Sequence, residues 1–249
     1  MSFFAVTGIA FPFLMTALGA AVVYLFRSRI DARAQRICMG FAGGVMAAAT
    51  AFSMLVPAQL MMGDARAWLW LPAAFLLGAA AVGLLNRLLR RADFALRQGA
   101  DAQRRMTFLS AIVLHNIPEG MAVGLAFAPG GAGAAAAAAV ALGIGLQNLP
   151  EGAAVSLPLR QGGMSRRRAF LLGMLSGAVE PVGALLTVWF SSLLTPALPC
   201  MLAFAAGAMI YVVVESLIPE TQAGAHSNLG TLMFALGFTV MMALDCALG

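Results

Sequence analysis

His115-Asn116-Ile117-Pro118-Glu119-Gly120 lies in the middle of a long apolar run, and Gln147-Asn148-Leu149-Pro150-Glu151-Gly152 repeats its pattern in the next one. An acidic residue at mid-membrane costs roughly 2.5–3.5 kcal/mol on insertion scales. A proline in a helix interior removes a backbone donor. Two copies of the same unfavourable pattern, with glutamates 32 positions apart, point to one polar site built by two adjacent helices.

The rest of the chain supplies the membrane. Of its 249 residues 61% are hydrophobic and only 10% charged, against about 25% charged in soluble domains, so it reads as a polytopic membrane protein. Apolar windows of the length that crosses a bilayer, about 20 residues, fall at 3–26, 37–62, 68–86, 107–127, 134–158, 169–194, 200–220 and 228–248. In hydrocarbon the backbone must bond internally, and no long alternating segments suggest a barrel, so the expectation is eight helices. They form one transmembrane unit over residues 1–249. Met1-Ser2-Phe3-Phe4 has no basic flank, so the first apolar segment is expected to stay as a helix rather than be cleaved.

The net charge of +5 comes with fifteen arginines and no lysine. Arg27, Arg29, Arg33 and Arg36 fall in the loop after the first span. Arg87, Arg90, Arg91, Arg97, Arg104 and Arg105 follow the third, and Arg160, Arg166, Arg167 and Arg168 the fifth. Only Arg66 lies on the other side, so the positive-inside rule puts these loops in the cytoplasm and both termini outside. The arginine-rich third loop is better read as a topology signal near anionic headgroups than as a nucleic-acid site. Lysine-free, Ala- and Arg-rich usage suggests a GC-rich bacterial genome, and the expected location is the bacterial inner (plasma) membrane. Cys38, Cys200 and Cys246 form no CxxC pair and so no thiolate cluster. The sixteen methionines make no MxxM array.

Internal repetition extends past the opening pair. Phe41-Ala42-Gly43-Gly44-Val45-Met46 in the second span matches Phe204-Ala205-Ala206-Gly207-Ala208-Met209 in the seventh, and each run ends at a proline, Pro57 or Pro219. Spans 4 and 5 cross in opposite directions, as do 2 and 7. That is the pattern of an inverted repeat.

On a helix, positions three or four apart share a face. His115 and Asn116 therefore join Glu119, and Gln147 and Asn148 join Glu151. Pro118 and Pro150 free the carbonyls of Leu114 and Leu146, while Gly120 and Gly152 let a neighbouring helix approach. One imidazole, carboxylates and amide oxygens without thiolate make a divalent-cation set. Glu180, in Val179-Glu180-Pro181-Val182-Gly183 of span 6, reads as a third mid-helix carboxylate. Burying three would cost on the order of 8–10 kcal/mol, comparable with a domain's whole stability, so protonation or a bound cation must relieve it. Met46, Ser53, Glu215, Glu220 and His226 are candidate pathway residues, with solvated or ordinary packing roles as the alternative for each.

At these residues the chain resembles the ZIP (Zrt/Irt-like) family of divalent metal transporters, its bacterial members in particular. The likeness rests on His-Asn-Ile-Pro-Glu-Gly, Gln-Asn-Leu-Pro-Glu-Gly, the Glu180-Pro181-Val182-Gly183-Ala184 run and the stretch from Ala206 to Glu220, and it spans nearly the whole chain. It implies a binuclear site between spans 4, 5 and 6. One metal would use His115, Glu119, Gln147 and Glu151, with Met46 nearby. The other would use Asn116, Asn148 and Glu180, bridged by Glu119 and Glu151. It further implies zinc-preferring import, with Fe2+, Mn2+ and Cd2+ as other cargo. Spans 1, 4, 5 and 6 would move like an elevator against spans 2, 3, 7 and 8 of a homodimer. Gln147 and Asn148 depart from the His and Asp often found at their positions, which should weaken binding and loosen the preference for zinc.

Two other classes remain open to the residues alone. An intramembrane metalloenzyme would want an HExxH helix, which the chain lacks. A proton-coupled carrier of an organic solute, with Glu119, Glu151 and Glu180 as proton sites, would want an aromatic or arginine pocket at mid-membrane. The arginines are all in loops.

Overall fold

The computed structural model describes residues 1–26, 32–96, 100–129, 133–222 and 227–248. Helix α1 (Phe3–Ala21) starts at Ser2, whose hydroxyl accepts from the Ala5 amide at 3.2 Å, and tightens into a 3-10 turn over Val22–Leu25. Helix α2 (Ala32–Ala49) passes through a π-helical turn, Thr50–Leu55, into α3 (Val56–Met62), and Gly63 at φ 71° ends it. Then come α4 (Asp64–Leu96), α5 (Ala100–Ala126), α6 (Ala134–Gln161), α7 (Arg166–Ser176) and α8 (Val179–Trp189). Helix α9 (Ser191–Leu194) and a 3-10 turn, Thr195–Ala197, lead into α10 (Leu198–Val212). A second π-helical turn, Val213–Leu217, precedes α11 (Ile218–Gln222), and α12 (Leu229–Leu248) follows. Among the described residues there is no strand.

Among the described residues, six stretches are long and apolar enough to cross a membrane: Phe3–Leu25, Arg33–Met62, Ala67–Leu88, Arg166–Trp189, Ser191–Leu217 and Leu229–Ala247. Helices α5 and α6, with 27 and 28 residues, reach about 40 Å at 1.5 Å per residue, but carry the polar motifs at mid-length. Both run unbroken through Pro118 and Pro150. Glu180 departs from expectation. It is not at mid-helix but in the first turn of α8, just past a break at Gly177-Ala178. Pro181 has no N–H for the Gly177 carbonyl, and the Glu180 amide takes that oxygen instead at 3.0 Å.

The distribution of polarity is the reverse of a water-soluble protein. Leu14, Leu18, Leu76, Leu77 and Leu232 are exposed on the outer surface, while Thr16, Asn116, Glu119, Gln147, Asn148, Glu151 and Glu180 are buried inside. An apolar exterior of this extent needs lipid around it.

Among the described residues, four helix pairs meet by reciprocal contact, a glycine on each helix facing a main-chain carbonyl of the other. A Cβ on Gly152 would strike the Thr16 carbonyl, and one on Gly19 the Leu149 carbonyl, which joins α1 to α6. Gly120 faces the Glu180 carbonyl and Gly183 the Ile117 carbonyl, joining α5 to α8. Gly44 and Gly237 likewise meet Phe234 and Phe41 carbonyls between α2 and α12, and Gly78 and Gly207 meet Phe204 and Phe75 carbonyls between α4 and α10. In membranes, where lipid removes much of the hydrophobic drive between helices, such small-residue crossings let backbones pack closely.

Candidate metal centre

The crossings deliver the polar motifs to one place. Pairing α1 with α6 and α5 with α8 turns the α5 and α6 motifs toward each other and toward the start of α8. Asn116, Glu119, Gln147, Asn148, Glu151 and Glu180 are each no more than 2% exposed. The Gln147 Nε2 donates to Glu119 Oε1 at 2.8 Å. The Asn148 Nδ2 donates to Glu180 Oε2 at 2.7 Å, and the Asn116 Nδ2 to Glu180 Oε1 at 3.4 Å and to the Ser176 carbonyl at 3.2 Å. The donors thus divide into two groups, one around Glu119 and one around Glu180.

Each amide spends its N–H groups on a carboxylate or carbonyl and leaves its oxygen over. Asn116 Oδ1, Gln147 Oε1, Asn148 Oδ1 and Glu119 Oε2 are buried without a hydrogen-bond partner. Buried acceptors without donors are costly, and four in one cluster require a positively charged occupant or a donor. Among the described residues no three His, Cys, Asp or Glu side chains gather closely enough to hold a metal ion, and the amide oxygens stand beside the carboxylates as further ligands. Mixed carboxylate and amide oxygen suits divalent cations.

Two contributors had not been singled out. Thr16 of α1 donates to Glu180 Oε1 at 3.2 Å and to the Pro12 carbonyl at 3.3 Å. A lone buried hydroxyl in an otherwise apolar span was its only signal. Gly177 leaves the space that Glu180 fills, since a Cβ there would come within 2.9 Å of Oε1. Thr50, at the start of the first π-helical turn, donates to the Met46 carbonyl at 2.8 Å and to Met209 Sδ at 3.0 Å. Met46 and Met209, the last residues of the two matching runs, are both buried, but no bond ties them to the carboxylates.

The remaining candidates lie elsewhere. Ser53 Oγ donates to Asp245 Oδ1 at 3.0 Å. Glu215 is exposed and lines a separate cavity. The side chains of His115 and Glu220, and all of His226, lie outside the described residues. Cys38, Cys200 and Cys246 are free thiols.

Residues 95–245 match the model of the ZIP zinc transporter family. The chain is 40% identical to the zinc transporter ZIPB of Bordetella bronchiseptica, over 99% of this chain and 82% of that one. It is 39% identical to the zinc transporter GufA of Myxococcus xanthus over 94% of both chains. It is 34% identical to human zinc transporter ZIP11, over 99% of this chain and 98% of that protein.

Proposed function

The chain belongs to the ZIP zinc transporter family, a family of transporters and not of enzymes, and on that premise we propose that it carries zinc into the cytoplasm through a two-centre site inside the membrane. The observation that carries this reading is the set of four orphaned oxygens beside buried carboxylates. In the arrangement described, amide N–H groups occupy carboxylate oxygens that a cation would otherwise take. An arriving zinc ion takes the carboxylate oxygens, and the amides rotate to offer their spare oxygens to it. The Glu119–Gln147 group, with His115 and Glu151, forms one centre, and Glu180 with Asn116 and Asn148 the other. Fe2+, Mn2+ and Cd2+ share enough of zinc's ligand chemistry to follow at lower preference.

All eight long helical stretches cross the bilayer of a bacterial inner membrane as one unit, with both termini outside. The arginine distribution supports that orientation. So do Trp68, Trp70 and Trp189, all exposed and all on the side away from the arginine-rich loops, as an interfacial aromatic belt would be. The inverted repeat has support from the crossings. Gly44 and Gly207 both sit three residues into the matching runs that begin at Phe41 and Phe204, and Gly120 and Gly152 both end the Pro-Glu-Gly triplets. The π-helical turns begin nine residues after Phe41 and Phe204 alike. The α1–α6 and α5–α8 pairs hold the donors and move as the elevator. The α2–α12 and α4–α10 pairs form the frame, and part of its outer surface makes the homodimer contact.

Zinc uptake into proteoliposomes tests the proposal. Glu119→Ala and Glu151→Ala should each lower it by roughly tenfold or more, at least as much as loss of a group that merely supports a metal ligand. Uptake unchanged in both would sink the assigned pathway.

A further inference from the structure

Glu215 is the one described carboxylate exposed on the outer surface of a crossing stretch. It sits in the second π-helical turn and lines a cavity of about 550 Å³ between α4 and α10, together with Gly83, Leu84, Asn86, Arg87 and Tyr211. That volume is within the range of small-molecule sites, roughly 300–1,000 Å³. Arg87 and Glu215 are both exposed and face this one cavity, yet no ion pair joins them. Gly83 gives the Tyr211 ring its room, because a Cβ there would lie 3.3 Å from the ring. The Tyr211 hydroxyl accepts from Asn86 Nδ2 at 3.4 Å, which leaves its own proton available to a ligand oxygen. Leu84 of the cavity wall is exposed, as is Val214, next to Glu215 in the chain, so apolar side chains face outward here.

We propose that this cavity binds one phospholipid of the arginine-rich leaflet through a zwitterionic headgroup that ends in a primary ammonium. The proposal goes beyond the transport reading and does not depend on it. Arg87 and the Tyr211 hydroxyl take the phosphate, since guanidinium matches phosphate oxygens bidentately. Glu215 takes the ammonium, whose three N–H groups can each donate. An anionic headgroup would meet Glu215 as a like charge, and a quaternary ammonium could donate no hydrogen bond to it. The exposed Leu84 and Val214, on stretches apolar enough to cross a membrane, favour the bilayer as source over a soluble phosphoamine.

Native mass spectrometry of the delipidated full-length protein, titrated with phosphatidylethanolamine, phosphatidylglycerol or phosphatidylcholine of identical chains, tests this. Wild-type protein should retain the ethanolamine lipid at least about fivefold over the other two, a difference of about 1 kcal/mol. Glu215→Gln should abolish the preference, Arg87→Gln should lower retention of all three lipids alike, and zinc binding at the central site should persist in both variants as the check on folding. Equal retention of all three lipids by the wild type would overturn the proposal, as would a preference that survives in Glu215→Gln or undiminished lipid retention in Arg87→Gln. So would displacement of the lipid by glycerophosphoethanolamine at matched concentration, which would assign the cavity to a soluble ligand. A zinc adduct lost only in Glu215→Gln would overturn it in favour of a cation site.

Discussion

At Gln147 the repeat keeps its geometry and changes its chemistry. The amide holds Glu119 at 2.8 Å where an imidazole would offer a neutral nitrogen lone pair to a metal. Gln147→His is therefore expected to tighten zinc binding about tenfold, or about 1.4 kcal/mol, and to slow release, so that uptake saturates at lower zinc with a smaller maximal rate. Titration calorimetry and uptake kinetics on one preparation would check both halves. Tighter binding with an unchanged maximal rate would mean that release from this centre does not limit turnover. Thr16 offers a second test, because its hydroxyl reaches Glu180 from α1 and touches no proposed cargo. Thr16→Val keeps the side chain's shape and removes the donor. Outer-shell partners of metal ligands typically contribute 10–100-fold in affinity, so zinc binding should weaken by about tenfold with the fold retained. Equal affinity would make Thr16 a packing residue only.

At the scale of elements, Gly152 shows how little room the crossings leave. A Cβ there would run into the Thr16 carbonyl, which is backbone and cannot rotate away, so Gly152→Val should destabilise the protein by about 1–3 kcal/mol, the usual range for overpacking. Thermal unfolding in detergent should register it, and an unchanged midpoint would mean that α1 and α6 separate at little cost. The helices themselves were legible because hydropathy and length report on lipid contact directly. The glutamates, prolines and glycines of the two motifs were legible because they are costly in that setting. The π-helical turns were not. An i→i+5 turn differs from its α-helical neighbours by one residue of register, chosen by packing against other helices, and Thr50–Leu55 contains no glycine or proline to announce it. The break before Glu180 was half-legible: Pro181 signals it, but an apolar window carries across it. The cavity at Arg87 and Glu215 was invisible, since it needs α4 and α10 side by side.

For the molecule as a whole, the orientation is the reading with the widest reach. A cysteine at Ser165, which starts α7 on the arginine-rich side, should react with an impermeant thiol reagent only after the cytoplasmic face is opened. One at Gly133, ahead of α6, should react in intact cells, given a background in which Cys38, Cys200 and Cys246 are replaced. The opposite pattern would invert the direction of transport. The four crossings also carry a genetic consequence. A clash between two side chains can be relieved by shrinking either one, so a damaging change on one helix is often suppressed by a second change on its neighbour. Here the neighbour at Gly152 and Gly120 is a carbonyl oxygen, which every residue possesses and no substitution trims. Selection for restored growth from Gly152→Val should accordingly return reversion to glycine at position 152, and not compensating changes at Thr16.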